Sequence, residues 1–269
     1  MMKHFVTLLF AACCLTTVGQ NNCSLVYDGN GDGAVGSADL IGLLSEYGIN
    51  CNEPEISECG NTVSYQGYNY DTVLIGEQCW FAENLRSENY ENGDAIPANL
   101  SDIDWETTDS GAVTVYGEDA GCANNSPDID ACDPAQSLNE YGRLYNWFAV
   151  DDDRGLCPSG WHVPTDGEWT VMTDYLGGAS GAGDQMKTTY GWYGDGNGTN
   201  SSGFSGLPGG YRNIIGNFNL AGYNCYWWSS SPNGSFAWGR YLLNGVEDVL
   251  RDDYYQRGGF SVRCILDAE

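Results

Sequence analysis

Residues 156–169 read LCPSGWHVPTDGEW, and this stretch gives the clearest structural signal in the chain. Thr165 and Glu168 have the spacing of a capping box, in which each side chain accepts a hydrogen bond from the other residue's backbone N–H. The apolar residues that follow share one helical face: Trp169, Met172 and Leu176. Gly177 comes next as a stop signal. The stretch therefore predicts a helix that begins just after Thr165 and packs one apolar face on a core.

Strand signals around this helix are short. Runs rich in β-branched and aromatic residues lie at 72–75, 79–83, 226–230, 236–243 and 260–265. The stretch 87–140 is acidic and rich in Gly, Ser and Asn, so we expect it to be mostly loop. Together these patterns predict a loop-rich α+β domain with short antiparallel strands and few helices.

Length and charge limit the classes of function. The chain has 269 residues, enough for one large domain and a small module. It carries 37 Asp and Glu against 10 Lys and Arg, a formal net charge of −27. A field of that sign repels phosphate backbones, so nucleic acid is not an expected partner.

The first twenty residues have the pattern of a secretory signal. Lys3 gives a short basic start, residues 5–18 are apolar, and small residues precede a cut near residue 20. A transmembrane anchor is the alternative, but the run is short for a bilayer core of roughly 30 Å. A lipoprotein signal acylated at Cys13 or Cys14 is a further alternative. The expected mature chain contains no transmembrane segment and is secreted or exposed at the cell surface.

Residues 21–53 form a candidate calcium module, followed by a polar linker at 54–62. Residues 28–39 read DGNGDGAVGSAD, with oxygen ligands at the spacing of an EF-hand loop. The predicted Ca²⁺ ligands are Asp28, Asn30, Asp32, the Ala34 carbonyl and Asp39. This module resembles one half of a type I dockerin. The same pattern without an ion would be a turn rich in Gly and Asp.

Cysteine usage fits an exported chain. Removing residues 1–20 takes two of the eleven cysteines and leaves nine, an odd number. An oxidising compartment favours disulfides, and zinc is a weak alternative because no Cys-x-x-Cys pair occurs. The expected pairs are Cys23–Cys51 around the calcium module, Cys122–Cys132 within one loop, and Cys59–Cys79, with Cys225 left over.

An ordered series of motifs gives a family resemblance. They are GRLYNW at 142–147, the stretch at 156–169, GFSGLPGGYR at 203–212, WWSSS at 227–231 and GFSVRC at 259–264. The series resembles the Fibrobacter succinogenes major paralogous domain, a bacterial extracellular family, and we assign it to residues 63–267. This resemblance implies a C-type-lectin-like fold. It also implies a disulfide between Cys157, before the capped helix, and Cys264, in the last strand.

The candidate ligand surface is the Gly-rich segment 191–203. Trp192 and Tyr193 offer flat faces for stacking, and the side chains predicted to bond hydroxyls beside them are Asp195, Asn197 and Asn200. Trp105 is another candidate for an exposed ring. The alternative is that these loops are solvated connections only.

Other aromatic and titratable residues favour structural roles. Trp227 and Trp228 have strand spacing and are expected in the core, and His162 lies in a structural motif. We therefore expect no catalytic residues and a binding or adhesion protein whose ligand is an extracellular glycan or cell-surface component. One alternative is an accessory component of polysaccharide degradation docked through the calcium module. Another is an enzyme on a fold like that of formylglycine-generating enzymes, for which Cys225 is the candidate.

Overall fold

A computed structural model describes residues 59–118 and 122–267. The chain divides into two units, Met1–Ile56 and Ser57–Glu269, and the described residues belong to the second. Several sequence predictions fall outside the described residues: the signal at 1–20, the module at 21–53 with Asp28, Asn30, Asp32, Ala34 and Asp39, and the pair Cys23–Cys51.

The described residues form a mixed α+β structure dominated by short strands. Its helices are α1 (Asp102–Thr107), α2 (Pro134–Tyr141), α3 (Trp147–Val150), α4 (Asp166–Tyr175) and α5 (Ala179–Met186). Its strands are β1 (Val63–Tyr65), β2 (Tyr68–Tyr70), β3 (Thr72–Ile75), β4 (Gln78–Phe81), β5 (Val113–Thr114), β6 (Leu144–Tyr145), β7 (Trp161–His162), β8 (Gly209–Arg212), β9 (Phe218–Ala221), β10 (Asn224–Asn233), β11 (Phe236–Leu243), β12 (Leu250–Tyr255) and β13 (Ile265–Leu266). Among the described residues, none of these helices is long and apolar enough to cross a bilayer.

Two larger sheets organise these strands. One has the order β12-β11-β10-β8-β9, and the other has the order β3-β4-β13-β7. Two small ribbons, β1-β2 and β5-β6, complete the described set. The pairs are antiparallel except for β10 with β8, which run parallel through Cys225 and Gly210.

Helix α4 follows the predicted capping box. The Thr165 hydroxyl accepts from the Glu168 N–H at 3.2 Å, and the Glu168 carboxylate accepts from the Thr165 N–H at 2.7 Å. Trp169 and Met172 are fully buried, as the helical face predicts. Gly177 lies beyond the last turn at a φ of 100°, in the left-handed region that favours glycine at helix ends. The predicted helix is confirmed.

Aromatic rings fill the core beside α4. Trp169 lies 4.9 Å from Trp80 and 6.0 Å from Trp227, measured between ring centroids. Trp227 and Trp228 are both fully buried, which confirms their predicted core role. Their indole N–H groups donate to the Asn84 side chain and the Tyr145 carbonyl, so each buried donor has a partner.

The final segment differs from its prediction as one continuous strand at 260–265. Only Ile265 of these residues belongs to β13, because the backbone groups bond to several separate elements. Phe260 pairs with Tyr145, the Ser261 N–H donates to Tyr226, and the Cys264 carbonyl accepts from Phe81. The segment therefore runs through the middle of the domain and joins elements instead of extending one sheet.

Arg263 is buried together with this segment. Its guanidinium donates to the Asn84 side chain at 2.7 Å and to the carbonyls of Phe81, Phe204 and Ser205 at 2.9, 2.7 and 3.0 Å. Burial lowers the pKa of Arg263. The hydrogen bonds offset the cost of placing a cation among apolar rings.

The stretch 87–140 contains more regular structure than we predicted. Helix α1 starts at the N-cap Ser101, and α2 starts at the N-cap Asp133 with Pro134 in its first turn. Trp105 of α1 is fully buried, so its prediction as an exposed ring is wrong. The cap residues give a local signal, but the polar composition around them concealed it.

Three disulfide bonds join the described residues. They are Cys59–Cys79, Cys122–Cys132 and Cys157–Cys264, the same pairs expected for this part of the chain. Cys157 precedes β7, and Cys264 precedes β13. The bridge between them closes a chain separation of 107 residues. Disulfides of this kind are typical of exported proteins.

Candidate functional site

The Gly-rich loop at 190–203 is anchored by its own backbone. The Gly198 N–H donates to Thr188 at 2.9 Å, the Thr199 N–H to Asp184 at 2.9 Å, and the Ser202 N–H to Gln185 at 3.1 Å. These acceptors lie in α5 or directly after it. A loop held in this way presents its outward side chains from a fixed base.

Trp192 is part of this anchor and not of the surface. Its side chain is 1% exposed, its indole N–H donates to the Gly206 carbonyl at 3.2 Å, and the Lys187 ammonium lies 4.8 Å from its ring. The prediction of Trp192 as an exposed stacking residue is therefore wrong. Gly191, at a φ of 86°, lies at the turn that directs the indole into the core.

Tyr193, the next residue, points outward. It is 49% exposed, and its ring lies 4.8 Å from the ring of Tyr223 at an interplanar angle of 42°. Backbone bonds fix both residues, because the Tyr193 N–H donates to Gly222 and the Asn244 N–H donates to Tyr223, each at 2.8 Å. Tyr223 is the less exposed of the two. Its ring contact supports Tyr193, which stays about half exposed to solvent; we call these two residues the tyrosine pair.

The predicted polar partners differ in availability. Asp195 and Asn197 are exposed and follow Tyr193 in the loop. The side-chain oxygen Oδ1 of Asn197 accepts from the Trp192 backbone N–H at 3.1 Å, which orients the Asn197 amide. Asn200 bonds Ser205 through both ends of its amide, at 2.8 and 3.0 Å, so its role is to hold the loop.

Tyr190 extends the exposed surface on the other side of Trp192. It is 50% exposed, and it interacts with Glu140 of α2. Burial raises the pKa of Glu140, and the nearby charge of Asp128 adds to that effect. This side of the loop therefore carries carboxylates next to an accessible ring.

Sequence reasoning missed Tyr190 and Tyr223. Tyr223 follows Gly222 in the turn between β9 and β10, just outside the aromatic run that we predicted as a strand. An aromatic residue next to a turn glycine was the available signal. Its proximity to Tyr193 depends on the tertiary fold, which places two distant loops side by side.

His162 is bound on both sides by carboxylates. Its Nδ1 lies 2.6 Å from Asp267, and its Nε2 lies 2.9 Å from Glu168. The hydrogen bond to Glu168 raises the pKa of His162, and the bond to Asp267 adds to it against the opposing effect of burial. Both ring nitrogens are occupied, which agrees with a structural role.

Glu168 is the central member of this cluster. Burial alone would raise the pKa of Glu168, but the hydrogen bonds from His162 and from Thr165 outweigh it and hold that pKa at about 2. We call His162, Glu168 and Asp267 the histidine cluster. It connects β7 and α4 to the end of the described chain.

Cys225 lacks the features of a reactive thiol. It is 1% exposed and is the free cysteine among the described residues. Burial raises its pKa well above the usual range, although Lys187 and Arg263 lie near enough to oppose this. A thiol in such surroundings is neither ionised nor accessible at neutral pH.

One concave region is a cleft of about 300 Å³ whose lining residues include Pro97, Phe148 and Arg154. Two ion pairs involve its lining residues: Arg154 binds Asp152 at 2.8 Å, and Arg257 binds Asp109. The lining also includes Asp151. Within 59–118 and 122–267, His, Cys, Asp and Glu side chains form no group suited to a metal ion. The cleft therefore carries internal ion pairs, and the tyrosine pair is the better-formed candidate surface.

Comparisons with known proteins bear on the family alone. Searches among curated proteins and among solved structures find no match. The model of the Fibrobacter succinogenes major domain matches residues 73–266, which include the described strands from β4 to β13, most of β3 and all five described helices. The chain therefore belongs to the Fibrobacter succinogenes major domain family.

Proposed function

We propose that the domain is a non-catalytic binding module that stacks a sugar ring of an extracellular glycan on Tyr193. The observation that carries this proposal is the tyrosine pair: an accessible ring held in place by a second ring and by backbone hydrogen bonds. An aromatic face supplies apolar contact area with little loss of side-chain freedom when it is already fixed. Asp195 and Asn197 are exposed and follow Tyr193 in the same loop, so they are the candidates to bond sugar hydroxyls.

The wider assignment belongs to the same proposal. We infer a secreted or cell-surface protein, a C-type-lectin-like fold for the larger unit, and a dockerin-like Ca²⁺ loop at 28–39. The disulfides and the family membership support an extracellular location. Docking through the calcium module, as part of polysaccharide degradation, remains a prediction from sequence. The enzyme alternative loses its candidate nucleophile, because Cys225 is buried and its pKa is raised.

The test is a glycan array probed with the full exported chain in a buffer that contains Ca²⁺. Tyr193→Ala should weaken binding to the recognised glycan by about 1–3 kcal/mol, the range for a central aromatic contact. Tyr223→Ala should weaken it less, because Tyr223 supports the ring without forming the outer face. The two variants should keep the wild-type thermal unfolding curve.

Tyr175→Ala is the matched control. Tyr175 is 66% exposed on α4 and belongs to a different surface, so its removal should leave glycan binding unchanged. Wild-type binding by a folded Tyr193→Ala variant would refute the proposal.

A further inference from the structure

We infer that the tyrosine pair selects uncharged glycan chains and rejects polyanionic ones; this inference rests on the proposed function. The choice between neutral and acidic polysaccharides is a choice of ligand class. It can be argued from the charges that surround the pair, and those charges are of one sign.

The charged groups described near the loop include several acids. Asp195, within the loop, and Asp128 are exposed, and Glu140 is partly buried; Asp128 and Glu140 interact with Tyr190 at the start of the loop. Asp184 accepts from the Thr199 hydroxyl at 3.1 Å and lies directly beneath the loop. A carboxylated or sulfated chain that extends along this loop from Tyr193 would meet charges of its own sign, which repel it.

The cations in the same neighbourhood are occupied. Lys187 is 3% exposed, and its ammonium donates to the carbonyls of Leu243 and Val246 at 2.6 Å each. Arg86 lies near Glu140, but its guanidinium binds Glu83 at 3.0 Å. Neither cation is placed to receive an anion from solvent.

The Tyr193 ring also disfavours anionic chains. The face of an aromatic ring carries partial negative charge, so it attracts C–H groups and repels anions. A neutral pyranose presents C–H groups to that face and hydroxyls to its surroundings. Asp195 and the oriented Asn197 amide supply acceptors and donors for those hydroxyls. The chemistry therefore fits a neutral polysaccharide.

The experiment uses two matched pairs of soluble polymers with the full chain, in affinity electrophoresis at low salt. Hydroxyethylcellulose is compared with carboxymethylcellulose, and methyl-esterified polygalacturonate with its de-esterified form. We expect the neutral member of the recognised pair to bind at least about tenfold more tightly, because repulsion acts over about 30 Å at 0.01 M salt. The difference should narrow at 0.5 M NaCl.

Charge variants provide the decisive arm. Glu140→Gln combined with Asp128→Asn, two acids that the proposal does not place in contact with the sugar, should strengthen binding of the anionic polymer several-fold and leave the neutral polymer unchanged. If the wild type bound the neutral and the anionic polymer equally well, and Tyr193→Ala bound neither, the charge selection would be overturned. The proposed binding function would still hold in that case. Failure of the wild type to bind any of the four polymers, or unaltered binding by Tyr193→Ala, would overturn the proposed function itself.

Discussion

The segment at 156–169 and the loop at 190–203 are both short of regular structure, yet they are held in different ways. The first is tied to the end of the chain through side chains: the Cys157–Cys264 disulfide and the bonds of His162 to Asp267 and Glu168. The second is held by backbone hydrogen bonds and one buried indole, that of Trp192. A reductant breaks the disulfide and a change of pH weakens the bonds of His162, so these conditions should destabilise the first segment. The loop should instead be destabilised by removal of the Trp192 side chain.

The largest effect should come from breaking the covalent tie. Replacing Cys157 and Cys264 together by Ala should lower the free energy of unfolding by about 4.7 kcal/mol, since the bridge closes a loop of roughly one hundred residues. Urea unfolding of the folded variant measures this. The paired control replaces Cys122 and Cys132 by Ala. That bridge closes a separation of only 10 residues, so its loss should lower the free energy of unfolding by less than about 3 kcal/mol. A smaller loss for the long loop than for the short one would contradict the chain-entropy account.

Removing the indole should break the loop in a different way. Trp192→Ala should cost about 4 kcal/mol of stability, the middle of the range for deleting a buried Trp, and Lys187 would lose the ring beside it. Tyr193→Ala, one residue further on, should change stability by less than about 0.5 kcal/mol. Thermal and urea unfolding compare the two. If Trp192→Ala were as stable as the wild type and failed only in binding, Trp192 would be a ligand contact after all.

The smallest effect should come from titrating the histidine cluster. The pKa of His162 is raised above its ordinary 6.5, so its contribution is complete below that pH and is lost as pH rises through the folded-state value. The pKa of Glu168 is lowered from 4.5 to about 2, so its contribution is present above 4.5 and is lost as pH falls towards 2. The cluster should therefore stabilise the fold most between pH 4.5 and 6.5.

A pH series of unfolding measures this contribution. Near pH 5.5 the free energy of unfolding of the wild type should exceed that of His162→Gln by less than about 1 kcal/mol, because the ion pairs are partly exposed. This difference in free energy should shrink above neutral pH. Lys187 is a buried cation outside the histidine cluster, so Lys187→Met serves as a control. Its difference from the wild type in free energy of unfolding should not be largest between pH 4.5 and 6.5. A constant difference for His162→Gln across pH 4 to 9 would show that the cluster contributes through packing alone.

The sequence predicted well what local chemistry decides. The capping box of Thr165 and Glu168 predicted the start of α4, and the β-branched and aromatic residues predicted the strand at 236–243. These features depend on residues that are neighbours in the chain. The α+β class and the family followed from the same local motifs.

The sequence failed where distant residues decide. Trp192 and Tyr193 are adjacent aromatics in a polar loop, and composition does not tell which one turns inward. The distant Gly206 carbonyl and the Lys187 side chain settle that choice for Trp192. Tyr223, the other half of the candidate site, comes from a loop thirty residues away in the chain. A site formed across two loops is visible only once the fold has brought them together.

Buried Cys225 also affects how the protein forms. In an oxidising compartment an unpaired thiol can attack a neighbouring disulfide until it is shielded, so the core around Cys225, which includes Met186, Trp227 and Leu242, must close before the other bonds are safe from exchange. Packing of this core thus protects the disulfides. Once the protein is folded, the thiol is a natural label for opening of this core, because an alkylating reagent gains access to it only when the packing separates.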